Sequence, residues 1–317
     1  MEDAKKRGPS TPLDLSGVQS RPLAECRHLV RLEDFARPVD LDASAAEFLD
    51  SLPRILAGNR LRDLATAMAR AHRESRSIIF AMGGHVVKVG MSPLIIDLMQ
   101  RGLISALAVN GSFAIHDMEI ALIGRTSERI EEVLPEGLFG MARETAEGFA
   151  RAAAAAARDG SGLGAALGNE VKDAPHHGAS VLAAAVRHEV PITVHVAIGT
   201  DTVHMHPGLS GADLGEASLT DFRILAGAAR RLAGGVWVNV GSAVILPEVF
   251  LKVVSVLRNL GEDMDGITAA DLDFVRHYRP EVNVMSRPAS KGISLTGHHE
   301  ILLPLLRLAL LKELEST

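Results

Sequence analysis

The chain has 317 residues, of which 47% are hydrophobic and only 3% aromatic, with a net charge of −6 at pH 7. This composition supports one large globular core, and the interspersed charges offer neither the basic stripe nor the stacking aromatics of a nucleic-acid-binding protein. No apolar run approaches the roughly 18 to 20 residues of a transmembrane helix, the start lacks a secretory signal, and the lone Cys26 excludes an internal disulfide, so we expect a cytoplasmic protein that does not enter a membrane.

The amino-terminal segment, residues 1–40, is rich in proline and charge and has no sustained apolar period. We predict an arm that is either loose or packed on a neighbouring subunit. Residues 41–317 are predicted to form a single α/β domain. Its first part, residues 42–73, has the apolar spacing of helices that cover a sheet.

The clearest βαβ unit follows. The apolar run Ile78–Met82 predicts a strand buried on both faces, and it ends at Gly83-Gly84. A helix is predicted from Ser92 to just before Gly102, and a second strand over residues 103–109. Both strands end in small polar residues, which is typical of the ligand-binding edge of an α/β sheet.

The rest of the chain repeats this alternation. The predicted helices are residues 140–158, 178–188, 218–232, 247–260 and 301–314. The predicted strands are residues 192–198, 236–240, 266–268, 282–284 and 292–295. The pattern therefore predicts a parallel Rossmann-like sheet of about six or more strands, with helices on both faces.

The strand tips carry the candidate chemistry, because they meet at one edge of such a sheet. Glycine lets phosphates approach the backbone, hydroxyl and amide groups bind ribose or phosphate, and helix N-termini favour anions. We therefore predict a nucleotide site, although the GxGxxG dinucleotide fingerprint is absent. The tips are Gly83-Gly84-His85, Asn110-Gly111-Ser112, Thr200-Asp201, Gly241-Ser242, Thr268-Ala269 and Thr296-Gly297-His298.

The order of these tips resembles deoxyhypusine synthase, an NAD-dependent enzyme that transfers an aminobutyl group from spermidine to a lysine. The resemblance covers residues 75–312. The matching stretches are Asn110-Gly111-Ser112 leading to His116-Asp117, then residues 240–244, 267–273 and 296–300 before Pro304-Leu305-Leu306. The stretch NGSFAIHDME also resembles the NAD-binding domain of ornithine cyclodeaminases of the arginine dihydrolase type.

The resemblance implies NAD as cofactor and an enzyme that uses it as a transient hydride acceptor on an amine or amino-acid substrate. It implies a set of cofactor-binding residues, namely Gly83, Gly84, His85, Asn110, Gly111, Ser112, Thr200, Gly241, Ser242, Thr268, Ala269, Asp273, Thr296, Gly297, His298, His299 and Glu300. It further implies a homodimer or homotetramer with shared active sites. The flat alanine-rich helix at 140–158 is a candidate subunit contact.

The candidate catalytic residues are His116, Asp117, Asp201 and Lys291. His116 replaces the first member of the acidic pair found in deoxyhypusine synthase, and Asp201 lies one step from its expected acid. His116 can act as a general acid or base near a bound nicotinamide. Asp117 is either part of that chemistry or the cap of a helix that begins there. Lys291 is the only amine near the position expected for the catalytic lysine.

Two alternatives remain open at this stage. Four histidines supply a possible metal-dependent hydrolase site, although their spacing matches no zinc signature and we predict no metal. These histidines are His204, His206, His298 and His299. The other alternative is a nucleotide-sensing or assembly protein that keeps the fold without catalysis.

Overall fold

The computed structural model describes residues 11–315, and within them six strands form one parallel sheet. The strands are β1 (Ile78–Met82), β2 (Ala106–Asn110), β3 (Ile192–His195), β4 (Val236–Val240), β5 (Thr268–Asp273) and β6 (Lys291–Thr296). Their spatial order is β3-β2-β1-β4-β5-β6, so the direction in which strands are added reverses between β1 and β4. This order confirms the predicted Rossmann-like sheet, and the reversal marks the crevice where such sheets bind ligands.

Twelve α-helices within residues 11–315 surround the sheet. They are α1 (Ala45–Ser51), α2 (Leu56–Arg73), α3 (His85–Lys88), α4 (Ser92–Gln100), α5 (Gly111–Ile123), α6 (Ile130–Val133), α7 (Arg143–Asp159), α8 (Leu163–Val171), α9 (Val181–Arg187), α10 (Gly211–Ala228), α11 (Ile245–Asn259) and α12 (His299–Glu315). None of these helices is long and apolar enough to cross a lipid bilayer.

The helices lie on both faces of the sheet because successive strand residues point to opposite sides. In β1, Ile78, Phe80 and Met82 belong to one hydrophobic core, whereas Ile79 and Ala81 belong to the other. The first core includes residues of α2, α4, α5 and α12, and the second includes residues of α10 and α11. A strand that is apolar at every position therefore identifies a sheet covered on both sides.

The predicted strand at residues 282–284 is wrong, because these residues lie in the π-helix Pro280–Ser286. Val282 and Val284 have high β propensity, but the run is too short to decide the structure. Tertiary contacts favour the helix, since Asn283 donates a side-chain hydrogen bond of 2.7 Å to Glu248 on α11 while Val284 is buried.

The boundary predicted for the preceding strand is also wrong. β5 begins where the prediction ended it, at Thr268, and runs on to Asp273. Its sequence TAADLD contains two aspartates, which disfavour strands, but all six residues are buried between β4 and β6. The tip of β5 is therefore Asp273 and not Thr268-Ala269.

The amino-terminal region has two parts within the described residues. Residues 11–40 are mostly exposed and contain only the short 3₁₀ turns Leu23–Glu25 and Leu32–Asp34, and residues 1–10 of the predicted arm lie outside the described part. The helices α1 and α2 pack beside α12, where Thr66 donates a hydrogen bond of 3.2 Å to Glu313. The division of the chain into an arm and one domain stays a prediction.

The alanine-rich helix α7 buries one side within this chain. Ala146, Ala152, Ala153 and Ala156 are buried where α7 packs against α8 and α10. Ala154 is exposed and Ala150, Ala155 and Ala157 are partly exposed, so a contact of this helix with a symmetry mate stays a prediction. A homo-oligomer itself stays a prediction.

Asp221 on α10 fastens two neighbouring elements. Its Oδ2 accepts hydrogen bonds from the backbone N–H groups of Gly164 at 2.8 Å and Val194 at 2.7 Å. It thus joins the first turn of α8 to the edge strand β3. Burial raises the pKa of this carboxyl to about 7, although the hydrogen bonds act in the opposite direction.

We predict that Asp221→Asn becomes more stable relative to the wild type as the pH rises. The folded pKa of Asp221 lies above its unfolded value, so the stability linked to its proton is fully present below the unfolded value and is lost as pH rises through about 7. Asparagine does not titrate. Urea unfolding of both proteins between about pH 4 and about pH 8 measures the difference, and a difference independent of pH would contradict the assignment.

Candidate active site

The tips of β1 and β4 touch each other at the strand-order reversal. A Cβ atom added to Gly83 would lie only 2.1 Å from the backbone oxygen of Gly241, so no larger residue fits at Gly83 without moving backbone. Gly241 itself has φ +62 and faces the ring of His299. These glycines are therefore required for contact between the two tips, and that contact forms the floor of the crevice.

The tip of β2 leads directly into α5. Asn110 is the N-cap of this helix, because its side chain accepts a hydrogen bond of 2.9 Å from the N–H of Phe113. The cap of this helix is therefore Asn110 and not Asp117. Its first turn lies beside the tip of β1, where a Cβ atom on Gly84 would be 2.4 Å from Ser112 Oγ and 3.1 Å from His116 Cδ2.

His116 is held in one orientation by two neighbours. Its Nδ1 lies 2.7 Å from Thr126 Oγ1, and the Thr126 hydroxyl donates a short hydrogen bond to Glu119. Because the single hydroxyl proton goes to Glu119, the Thr126 oxygen must accept from His116 Nδ1–H. The neutral ring therefore leaves Nε2 as an acceptor. Burial opposes ionisation of Glu119, but the hydrogen bonds from His116 and Thr126 outweigh it and lower the pKa of this carboxyl.

A pocket of about 230 Å³ opens beside His116. It brings together residues from the tip of β2, from α5, from the segment that follows α5 and from the loop after β3. Three carboxylates line it, namely Glu119, Glu128 and Asp201, against one ammonium group from Lys88. The pocket therefore has a net negative wall, which favours a cationic ligand. The predicted residues Ser112, His116, Thr200 and Asp201 meet here.

Asp201 is the most buried of these carboxylates. Its side chain is 5% exposed, and burial raises the pKa of its carboxyl despite the nearby His204. Its Oδ2 has no hydrogen-bond partner within residues 11–315 and lies against the first residue of α5, where a Cβ atom on Gly111 would be 2.1 Å away. A buried carboxylate oxygen without a partner favours a ligand that supplies a positively charged donor.

His204 packs beside Asp201 but does not itself line the pocket. Its Nδ1 accepts hydrogen bonds from the N–H groups of Gly199 at 3.1 Å and Asp201 at 3.3 Å, so Nε2 carries the ring proton. This Nε2 is 3.9 Å from Asp201 Oδ2, and neither atom has a hydrogen-bond partner in the described part of the chain.

Asp117 does not line the pocket. The prediction that it is a catalytic residue is therefore wrong, because its side chain lies elsewhere. The residue is fully buried on the other side of α5, where its carboxylate accepts bonds from Ser180 Oγ at 2.5 Å, Val181 N at 2.8 Å and Leu182 N at 2.9 Å. It therefore caps α9 and not the helix on which it lies. Burial raises the pKa of this carboxyl to about 6.

Lys291, Thr268 and Ala269 lie at the opposite edge of the sheet from the tips. Lys291 starts β6 and is paired in register with Thr268 at the start of β5, and its Nζ makes a 2.9 Å ion pair with Asp63 on α2. These three residues are therefore separated from the other candidates by the length of the strands. The structure contradicts their predicted place in the site.

The tips of β5 and β6 form a second cluster at the carboxyl edge. His299 is 1% exposed, its Nε2 donates to the backbone oxygen of Leu272 at 3.1 Å, and burial lowers its pKa, so the ring is neutral and its unpartnered Nδ1 is an acceptor. Its ring centroid lies 5.5 Å from that of His85. The ring of Phe274 lies 5.8 Å from His85 and is stacked at 6.2 Å on His298.

Several other predicted cofactor residues lie at this carboxyl edge. Asp273 ends β5 and is buried, and its Oδ1 accepts a hydrogen bond of 2.7 Å from Phe274 N. Thr296 ends β6, Gly297 follows it, and Glu300 lies in the first turn of α12. Ser242 is buried after β4, where its hydroxyl accepts a hydrogen bond of 3.3 Å from the N–H of Leu246 at the start of α11.

The four histidines of the hydrolase alternative do not form one site. His204 and His206 belong to the loop after β3, whereas His298 and His299 follow β6 at the other end of the sheet. His206 Nε2 lies 2.9 Å from the backbone oxygen of Gly140. Among residues 11–315, no group of three or more His, Cys, Asp or Glu side chains is arranged to hold a metal ion.

The residues that the sequence analysis missed are Glu119, Thr126 and Glu128. Glu119 had a detectable signal, because it follows His116 by three residues and so shares its face once the helix begins at Gly111. Thr126 and Glu128 belong to the irregular segment after α5, and their positions depend on how that segment folds back over the pocket.

Comparison with known proteins gives similarity at the level of structure. No protein-family model matches the chain, and no curated protein matches its sequence. AgrE, solved as a ternary complex with ornithine and NAD+, aligns with 84% of this chain and 35% of its own chain, at 13% identity and a TM-score of 0.54. ArgZ, an arginine dihydrolase from cyanobacteria, aligns with 81% of this chain and 33% of its own, at 17% identity and a TM-score of 0.48.

A proposed deoxyhypusine synthase from Entamoeba histolytica aligns with 86% of this chain and 95% of its own, at 10% identity and a TM-score of 0.46. The structures similar to this chain thus include one described as a deoxyhypusine synthase and one described as an arginine dihydrolase. The chain spans about a third of the length of AgrE and ArgZ. At such low identity the likeness concerns the fold alone, and the comparison with AgrE shows that this chain shares its α/β Rossmann-like architecture.

Proposed function

We propose that this protein is an NAD-dependent enzyme that acts on an amine or amino-acid substrate. The nucleotide would lie across the β1 and β4 tips, and the substrate amine would enter the acidic pocket. The observation that carries the proposal is the position of His116, whose ring touches the tip of β1 on one side and lines the acidic pocket on the other. A proton acceptor at that junction suits chemistry between a bound nucleotide and a bound amine.

The residues at the strand-order reversal fit a dinucleotide. The first turns of α5 and α11, which follow the tips of β2 and β4, leave backbone N–H groups without intrahelical partners and favour phosphate. Close contact between Gly83 and Gly241 keeps side chains off this floor. The unpartnered Nδ1 of His299 would accept a hydrogen bond from a hydroxyl or amide group of the ligand.

The pocket fits an ammonium group. Asp201 offers a buried oxygen without a partner, and Glu119 and Glu128 add negative charge to the same wall. Lys88 at the pocket wall gives a contact for the carboxylate when the substrate is an amino acid.

The protein groups divide the proton chemistry between them. Bound NAD would supply a hydride acceptor for the carbon that bears the amine. His116 Nε2 would take a proton from the substrate nitrogen, while Thr126 and Glu119 hold Nδ1–H and stabilise the positive charge that develops on the ring. Asp201 would orient the amine. The similarity of the fold to AgrE, which was solved with ornithine and NAD+, supports this combination of ligands.

We predict that NAD binds and that Ser112→Asp weakens this binding at least about tenfold, because a carboxylate at the second position of α5 repels phosphate. The matched control is Ala212→Asp, which puts the same charge at the second position of α10. Calorimetric titration of the three proteins with NAD tests the cofactor. Absence of binding by the wild type at millimolar NAD, or equal weakening by both variants, would contradict the proposed site.

Turnover distinguishes an enzyme from a protein that only binds nucleotide. The experiment incubates the protein with NAD and a panel of amines and amino acids, including polyamines and ornithine, and follows substrate loss together with transient reduction of NAD. NAD binding without turnover of any amine would favour the non-catalytic alternative.

A further inference from the structure

A second cavity adjoins the acidic pocket and differs from it in character. It has a volume of about 560 Å³ and shares five residues with the pocket, namely Glu119, Ser127, Glu128, Ala142 and Thr145. Apolar groups from Leu122, Ile123 and Pro175 line its remaining wall, with Arg125, Thr126 and Glu144 also contributing. We call this cavity the apolar groove. The two cavities are therefore adjacent to each other at these shared residues.

The helix α5 supplies one stripe that runs from the pocket to the groove. Residues three, four and seven positions apart lie on one face of a helix, so His116, Glu119 and Ile123 follow one another along it. The stripe therefore changes from a proton acceptor, through a carboxylate, to an aliphatic side chain. Ile123 is 56% exposed at the last position of the helix, which ends at Gly124 with φ +70.

The acidic pocket is smaller than most complete sites for small molecules. Ligand sites for small molecules are typically about 300 to 1,000 Å³, and the pocket has only about 230 Å³. The apolar groove more than doubles this space. Each ligand methylene that packs on the apolar part of its wall leaves water, which makes the free energy of binding more favourable.

We propose that the apolar groove binds the hydrocarbon chain of the substrate, so that the substrate class is a primary amine on an unbranched aliphatic chain. This proposal rests on the proposed function, since the ammonium end must lie in the acidic pocket beside Asp201. The chain then runs along α5 past Glu119 and covers Leu122 and Ile123. Short amines would fill the pocket alone and leave the groove to water.

The test measures dissociation constants of unbranched n-alkylamines, from ethylamine to octylamine, for the protein saturated with NAD. Each methylene buried is worth about 0.8 kcal/mol, so affinity should rise up to about fourfold per added carbon until the groove is full. Ile123→Gln should flatten this dependence for the longer amines and leave the affinity for ethylamine unchanged. Leu219→Gln, which changes an exposed leucine on α10, is the matched control and should keep the wild-type dependence.

The outcomes separate the two proposals. Ethylamine binding with no dependence on chain length, or the same dependence in Ile123→Gln and the wild type, overturns the groove proposal and leaves the proposed function standing. Failure of every amine to bind overturns the amine pocket itself, and the groove proposal with it. Sedimentation of Ile123→Gln provides a further check, because loss of an oligomer on this substitution would identify the groove as a subunit interface and overturn its role in substrate binding.

Discussion

Replacing His116 with glutamine is expected to lower the turnover number by about 10²- to 10⁴-fold, the range typical for loss of a general base. Glutamine can still donate a hydrogen bond towards Thr126, but it cannot accept a proton at the position of Nε2. Binding of NAD should be unchanged, because His116 faces the tip of β1 only through a carbon edge. Steady-state kinetics and NAD titration on the same preparation measure both quantities.

The neighbours of His116 provide the matched controls for this prediction. Thr126→Val removes the oxygen that accepts from Nδ1–H, so the ring can adopt the other tautomer and Nε2 loses its acceptor role. Turnover should fall, whereas Thr126→Ser keeps the hydroxyl and should retain most of it. If Thr126→Val and Thr126→Ser behave alike, or if His116→Gln retains wild-type turnover, then His116 is not the general base.

Replacing Asp117 with alanine is expected to reduce the free energy of unfolding by about 3 kcal/mol or more. The substitution leaves three donors at the start of α9 without a partner in a region that water does not reach, namely Ser180 Oγ–H and the N–H groups of Val181 and Leu182. Each unsatisfied buried donor costs about 1 to 3 kcal/mol, partly offset by removal of a carboxylate whose own burial is unfavourable. Equilibrium unfolding in urea measures the loss.

Two further variants decide between a structural and a catalytic Asp117. Asp117→Asn keeps one acceptor oxygen and should lose less stability than the alanine variant. Asp213→Ala removes a partly exposed acid from the first turn of α10 and should cost under about 1 kcal/mol. A fully stable Asp117→Ala protein with abolished turnover would restore the catalytic interpretation that the structure contradicts.

The helix start explains why sequence reasoning found His116 but assigned Asp117 wrongly and overlooked Glu119. If the helix began near His116, then Asp117 could equally be part of the site or the cap of the helix. With Asn110 as the cap, the helical period puts Glu119 on the face of His116 and turns Asp117 by about 100° towards α9. Asn110-Gly111-Ser112 was assigned to the cofactor, and this assignment concealed the ordinary capping signal of an asparagine before a helix.

Lys291 shows a different limit. A lysine near a strand is assigned to the active or the opposite edge only when the strand ends are known, and a shift of a few residues moves it across the sheet. In the structure it begins β6, one residue before the predicted strand, and so lies at the amino end of the sheet, where its ion pair with Asp63 joins it to a helix 228 residues away in sequence. Thr268 and Ala269 were predicted at the carboxyl end of a strand but lie at the amino end of β5, because the predicted strand boundary was wrong.

The sequence by itself determined the alternation of strands and helices, the two-sided burial of the sheet and most of the polar tips, because each depends on local patterns of apolar residues, glycine and caps. Only the tertiary structure decided which tips meet. The strand order brings Gly83 against Gly241, and the fold of the segment after α5 brings Thr126 to His116 and Glu128 to the pocket of Asp201. Gly83 and Gly241 are far apart in the chain, and Thr126 reaches His116 only through the path of an irregular segment, so the geometry of both contacts follows from packing of the whole core, which no local pattern encodes.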